Sequence, residues 1–440
     1  MNKKMKQSIG QIVSYLKKNR KNLLLLGGII LIGVFLRTYH FRQLLVVAPD
    51  QRRDLGIVRN VVANHAPWPL LGPNMTEGQG FQLGPMYYYF QISSAKIFGV
   101  GWPQQAYPDL FFAILSIPLL YYFLRKYFSR ASALLAVFIY AVSYYAIEYS
   151  RFAWNVNLIP FFVLLFLVSL DKFLGQDEVT PWPWICLVGI SLGVGVQLHA
   201  ILLLLLPLVL IGVSLFLLFF KKKKIGWRLI AILGIALVLN LGQVISEFQT
   251  HLANTKDFQK AFMTKSTQVS FGKELVLDAA CNVQANAHII SSLGGDKMCD
   301  FLYQDGLRDA SPSTPLHLER NFWPLVGEIV SLAFSVVGLG FLLFHFKTEI
   351  DRRKKYFLGL ILTYAILYWL IMLPVAPGSR MRYYLPIIFL PFVFLAFIFD
   401  YLLEKYPRAR PWLIAAIILF LTSANAIAIF VHFKIEHLVR

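Results

Sequence analysis

Apolar runs with few charges recur along this chain, each close to the roughly 20 residues a helix needs to cross about 30 Å of hydrocarbon. They lie near 23–39, 108–124, 131–147, 157–174, 182–199, 201–220, 225–247, 324–346, 356–376, 383–403 and 412–433. A chain with eleven such runs has no soluble solution: its helices must be solvated by lipid. Composition agrees, since 57% of the 440 residues are hydrophobic and only 15% charged, with a mean hydropathy of +0.60. Soluble domains carry about 25% charge. Disorder, coiled coil, collagen and a cytosolic enzyme are excluded, and the fold class is an all-α polytopic membrane protein. The 182–220 stretch is the weak point of the count. Only His199 and Ala200 divide it, and reading it as one broken helix would reverse every later segment.

The net charge of +19 does not point to nucleic acid. Runs such as Lys221 to Lys224 and Arg352 to Lys355 sit directly beside apolar stretches, where they act as topology determinants and contacts for anionic lipid. With the N-terminus inside, the short cytoplasmic segments hold 24 of the 42 Lys and Arg, which predicts eleven spans and an external C-terminus. Residues 1–22 read as a basic cytoplasmic tail, followed by an uncleaved first helix that Arg37-Thr38-Tyr39-His40 closes. The expected organisation is seven helices within 23–247, a second external loop at 248–323 and four helices within 324–440. The first external loop, 40–107, is expected to carry two interfacial helices, one from near Asp50 and one from Pro85, with their apolar faces in lipid.

Three clusters carry candidate chemistry. In Ala48-Pro49-Asp50-Gln51-Arg52-Arg53-Asp54 the two carboxylates share one helix face. Asp50 stands where an N-cap would, and a carboxylate there is equally placed to act as general base for an acceptor hydroxyl. Asp54 can pair with Arg53 or Arg52. The second cluster is Ser379-Arg380-Met381-Arg382-Tyr383-Tyr384. Arginines in a short external turn oppose the charge rule, and planar guanidinium donors suit a phosphate. The third, Glu148 to Asn157, offers a Glu148–Arg151 pair, or a sugar-binding surface from the flat face of Trp154 and the amide of Asn155.

Further polar groups sit toward the same side: Gln197 and His199 at a helix end, then Asn240, Gln243, Glu247 and Glu328. They describe a cavity open outward and closed inward, which suits an enzyme acting on a lipid-embedded substrate better than a carrier lined through both leaflets. Cys186 lies mid-membrane. Cys281 and Cys299 share the second loop, where a disulfide and two reduced thiols are both open readings. No metal-binding or nucleotide-binding motif stands out.

The elements Pro49-Asp50-Gln51-Arg52-Arg53, Gly84-Pro85-Met86-Tyr87-Tyr88-Tyr89, Ser150-Arg151 through Asn157, Gln197-Leu198-His199 and Arg382-Tyr383-Tyr384-Leu385-Pro386 give the chain a family likeness. In order and spacing it resembles the GT-C membrane glycosyltransferases of the protein O-mannosyltransferase and aminoarabinose-transferase type, the family 39 group. The resemblance covers most of residues 20–405. It implies a GT-C fold, a polyprenyl-phosphate sugar donor, an acceptor reached from the outer face of the plasma membrane, and catalysis by an acid of the first external loop, at Asp50. The family places a Glu after that Asp, whereas this chain has Gln51; Asp54 is the alternative second carboxylate.

The expected reaction is inverting sugar transfer, with Arg380, Arg382 and Arg53, joined by Tyr383, at the donor phosphate. Tyr87, Tyr88, Glu148, Arg151, Trp154, Asn155 and His199 are the candidate substrate contacts. No cofactor is required, a divalent metal staying an option, and the acceptor is left as glycolipid, polysaccharide or protein. The alternative function is a flippase or transporter of a lipid-linked sugar, or a non-catalytic subunit sharing the fold.

Overall fold

The computed structural model describes residues 20–75, 80–175, 181–264, 270–292, 318–406 and 408–438. The described chain is helical, apart from a single antiparallel bridge between Asn74 and Gln82. The first helices are α1 (Arg20–Thr38), α2 (Pro49–Ala63), α3 (Met86–Phe98), α4 (Trp102–Arg125), α5 (Arg130–Val142) and the short α6 (Tyr144–Glu148). A tight turn at Asn155–Leu158 leads into α7 (Ile159–Gly175), followed by α8 (Trp182–Gly195), α9 (Ala200–Leu215), α10 (Gly226–Leu239) and α11 (Leu241–Gln249). Then come α12 (Ala253–Thr264), α13 (Phe271–Ser291), α14 (Leu318–Thr348), α15 (Arg352–Met372), α16 (Leu390–Lys405) and α17 (Arg410–Leu438).

Among the described residues seven helices are long and apolar enough to cross a membrane. The number rises to nine if the pairs α10–α11 and Met381–Ile387 with α16, bent by 66° and 55°, each form one span. The chain is a multi-pass membrane protein. The eleven apolar runs all recur as helices, but α5 and α8 have 13 and 14 residues, only about 20 Å of rise each. The expected eleven spans therefore exceed what helix length alone supports. At α5 the cause is Ser143. Its hydroxyl accepts from Ala146 N–H and donates to the Ile289 carbonyl at 2.6 Å, ending one helix and starting another.

The bundle core is continuous, with α8 packed between α7 and α10, α16 between α5 and α14, and α9 against α15. Helices α2 and α3 do not lay their apolar faces in lipid. Val58, Val61, Tyr87, Ile92 and Ala95 are buried in the main core, with α3 lying along α4. The reason is polar: Gln51 and Asp54 of α2 and the Tyr87 and Tyr88 hydroxyls of α3 are buried with hydrogen-bond partners inside the protein, which hydrocarbon would not have offered. Helix α13 also enters the bundle. Asn425 of α17 ties it down, donating to the Ile290 carbonyl while accepting from Tyr144 N–H.

Candidate active site

The site is assembled on three backbone segments: the start of α2, the 149–158 connector, and the Arg380–Ile387 turn. Helix α2 begins at Ala48 rather than at Asp50. Pro49 takes the first helical position, and Gln51 Oε1 accepts the Ala48 N–H at 3.0 Å. Asp50 is thereby left free of capping. Its side chain is 46% exposed and pairs with Arg53, Nη1 to Oδ1 at 2.9 Å.

The other edge of the same guanidinium is taken by Asp54, from Nε at 2.9 Å and Nη2 at 2.8 Å. Asp54 is only 1% exposed and also accepts from the Tyr88 hydroxyl at 2.9 Å. Burial pushes its carboxyl up to about 6, outweighing the downward pull of Arg53 and Tyr88. Burial works against the charge on Arg53, yet Asp54, Tyr88 and Asp50 together leave it more firmly protonated than usual. The pair is thus an exposed carboxylate and a buried one, joined by a cation that stays charged.

The Arg380–Ile387 turn is held from beneath by three tyrosine hydroxyls. Tyr145 donates to the Met381 carbonyl at 2.9 Å, Tyr368 to Tyr383 at 2.9 Å and Tyr364 to Pro386 at 3.0 Å. On this support Arg382 lies with its guanidinium 5.0 Å from the ring centre of Trp154 and 5.2 Å from that of Tyr383. Tyr383 in turn meets the His199 ring at 5.3 Å. Arg380 is exposed. Neither arginine forms a salt bridge among the described residues. Two guanidinium groups without a carboxylate partner, one of them over aromatic faces, are a donor set of the kind a phosphate would take.

The α2 and Arg382 regions meet at one peptide unit. Gln51 Nε2 donates to the Ala153 carbonyl at 2.7 Å, and the N–H of Trp154 donates to Asp109 Oδ1 at 3.0 Å. Asp109, fully buried in α4, also accepts from the Tyr87 hydroxyl at 3.2 Å. Gln105 holds the Gln51 carbonyl at 3.1 Å. Gln197 fixes α3 from the far side: its Oε1 accepts Met86 N–H, and its Nε2 donates to the Gly193 and Leu239 carbonyls. Gly84 is required there, because a Cβ would collide with the Gln197 amide.

Residues 82–244 match the family model described as dolichyl-phosphate-mannose-protein mannosyltransferase. In structure the chain is similar to ArnT from Cupriavidus metallidurans in the apo state, at 14% identity and a TM-score of 0.53. It is similar also to ArnT from the same organism bound to undecaprenyl phosphate, at 13% identity and 0.54. Both alignments cover 89% of this chain and 61% of the other. No curated protein matches in sequence.

This is a GT-C fold.

Within the GT-C frame, the chain spans about 61% of the length of the solved ArnT chain. Of the residues singled out in the sequence, Asp50, Asp54, Arg53 and Tyr88 form one group and Arg382, Trp154, Tyr383 and His199 another. His199 also caps α9, its Nδ1 accepting Ile201 N–H at 3.2 Å. Other candidates are engaged in holding the fold. Arg151 is buried and donates to the carbonyls of Leu36, Arg37 and Tyr39 at the end of α1. Asn155 donates to the Leu198 carbonyl at 2.6 Å, and Tyr87 belongs to Asp109. Glu148 is half-buried at the end of α6, its carbonyl accepting Arg151 N–H.

Asn240 donates to the Gly193 and Ala236 carbonyls, at the bend between α10 and α11. Cys186 is free and Cys281 is buried and disulfide-bonded. Cys299, the side chain of Glu328 and the tail 1–19 lie outside the described residues. No group of three His, Cys, Asp or Glu side chains is gathered for a metal among the described residues.

Two acids escaped the sequence reading. Asp109 had a signal, a lone carboxylate opening an apolar run, where an ionisable group is costly and has a purpose. Asp278 of α13 had none. It is buried within electrostatic reach of Tyr368 and Tyr384, and burial pushes it up to about 7 against the pull of Asn282.

Proposed function

We propose that this chain is an inverting glycosyltransferase that moves a sugar from a polyprenyl-phosphate donor to an acceptor at the outer face of the plasma membrane. The carrying observation is the pairing of an exposed carboxylate, Asp50, oriented by Arg53, with an anion site at Arg382 across one shared peptide. The likeness to ArnT bound to undecaprenyl phosphate and the match of residues 82–244 to a mannosyltransferase family model support the donor class. The orientation in this reading has the N-terminus in the cytoplasm, and the acceptor is a hydroxyl of a glycolipid, polysaccharide or protein.

In this reading Asp50 Oδ2 takes the proton of the acceptor hydroxyl as its oxygen attacks the anomeric carbon. The bond to the phosphate oxygen breaks on the opposite side, so the configuration inverts. The leaving group is a lipid monophosphate, and Arg382 with Arg380 neutralises the charge growing on it. Arg53 holds Asp50 in place, and buried Asp54 keeps Arg53 from swinging out to the phosphate. Trp154 offers the sugar a flat apolar face beside the cation.

The deciding experiment uses purified protein in nanodiscs with radiolabelled polyprenyl-phosphate sugars. Release of free polyprenyl phosphate is followed for the wild type and Asp50→Asn. Release that depends on Asp50, with donor binding retained in the variant, is the expected result. Binding without release across a broad donor and acceptor panel would replace the transferase by a carrier of lipid-linked sugar.

A further inference from the structure

Both polar edges of the Ala153–Trp154 peptide are held by buried side chains from different helices. Its C=O accepts from Gln51, one residue after Asp50 on α2, and its N–H donates to Asp109 on α4. Gln51 and Asp109 are both buried, so water does not compete for either bond. The residue that follows the peptide is Trp154, whose ring carries Arg382. The peptide is therefore the mechanical link between the carboxylate end of the site and the cationic end.

We propose that Gln51 and Asp109 are positioning residues that clamp the Ala153–Trp154 peptide and so fix the register of Asp50 against Arg382. The chemistry of Gln51 bears this out. Its Oε1 accepts the Ala48 N–H while its Nε2 donates to Ala153, so the side chain must accept and donate at once. An ionised carboxylate accepts only. Glutamate here would keep the helix start and lose the clamp, which gives the amide at this position a reason of its own. Asp109 answers from the other side, and Tyr87 in turn holds its second oxygen. The clamp rests on the transferase reading for its consequence, because register matters when attacking and leaving groups must line up at once. Binding tolerates a displacement that transfer does not: a shift of about 1 Å can cost about 10²-fold in rate.

The test uses the full chain in nanodiscs, with three readouts: hydrogen exchange of the 150–158 segment, affinity for undecaprenyl phosphate, and turnover of polyprenyl-phosphate sugars. For Gln51→Ala and Asp109→Ala, exchange in the segment accelerates and kcat falls about 10²-fold, while undecaprenyl phosphate affinity stays near wild type. Asp109→Asn keeps an oxygen for the Trp154 N–H and stays close to wild type in all three. The double variant is no slower than the poorer single, since both act through one peptide.

Unchanged exchange, affinity lost in step with kcat, or losses that multiply in the double variant would each overturn the clamp. A wild type that binds undecaprenyl phosphate without turning over any donor sinks the transferase reading instead. The clamp is then decided by exchange: acceleration in both alanine variants but not in Asp109→Asn upholds it, and any other pattern ends it.

Discussion

Arg53 stands 2.9 Å from Asp50 through Nη1, while Nε and Nη2 of the same guanidinium are committed to buried Asp54. One cation thus holds an exposed carboxylate from a buried anchor, and the division of labour between the two acids follows from exposure. Asp50→Asn keeps the shape and removes the proposed base. Turnover is expected to fall by about 10²–10⁴-fold, the usual worth of a positioned general base. Affinity for polyprenyl phosphate, measured by ligand titration, stays within a few-fold, since Arg382 is untouched.

The anion site is expected to separate binding from chemistry in the opposite way. A hydrogen bond to a charged partner is worth roughly 1.5–3 kcal/mol, or about 10–100-fold in affinity. Arg382→Gln is expected to lose that much for undecaprenyl phosphate. Arg382→Lys retains charge but not the planar stack on Trp154 and Tyr383, and falls between the two. Wild-type affinity in Arg382→Gln would remove the arginine from the phosphate site.

Asp54 predicts a pH dependence. Its carboxyl titrates near 6 because of burial. Below that pH it is neutral, its hold on Arg53 weakens, and Asp50 loses its orientation. The rate is expected to fall along an acid limb near pH 6, and Asp54→Asn abolishes that limb at a lower plateau. Stability runs the other way. Between the ordinary value of 3.8 and about 6 the folded chain binds this proton more tightly than the unfolded chain, so the Asp54 contribution declines as pH rises through that window. Melting temperatures of wild type and Asp54→Asn across pH 4–7 read the difference.

Tyr88→Phe removes one of the hydrogen bonds that favour charged Asp54. The acid limb is expected to move to higher pH, with the ring still packed in the core. An unmoved limb would separate the titration from Asp54.

Arg151 divides fold from function. It supplies three carbonyls at the end of α1, and a buried acceptor left unsatisfied costs about 1–3 kcal/mol. Arg151→Ala is expected to lower the melting temperature markedly, while the folded fraction binds undecaprenyl phosphate as wild type does. Normal stability with lost binding would return Arg151 to the substrate.

The membrane class, the positions of the apolar helices and the clusters around Asp50 and Arg382 were legible in the sequence. Each is a local property: run length against hydrocarbon thickness, or arginines in a short turn. The GT-C likeness was read from the order and spacing of short local motifs. Other features belonged to the tertiary structure alone. The sequence placed Asp50 at a helix cap, yet Pro49 and Gln51 start α2 two residues earlier and leave Asp50 free of capping. It offered α2 and α3 to lipid, yet Gln51, Asp54, Tyr87 and Tyr88 find their hydrogen-bond partners inside the protein. It ranked Arg151 and Asn155 with Trp154, yet Arg151 and Asn155 hold backbone carbonyls while Trp154 lies against Arg382. Asp109 and Gln51 acquire a role only because two helices converge on one peptide. Hydropathy and turn chemistry are written in neighbouring residues, whereas a hydrogen bond between distant segments exists only after packing has chosen which backbone groups are sealed from water.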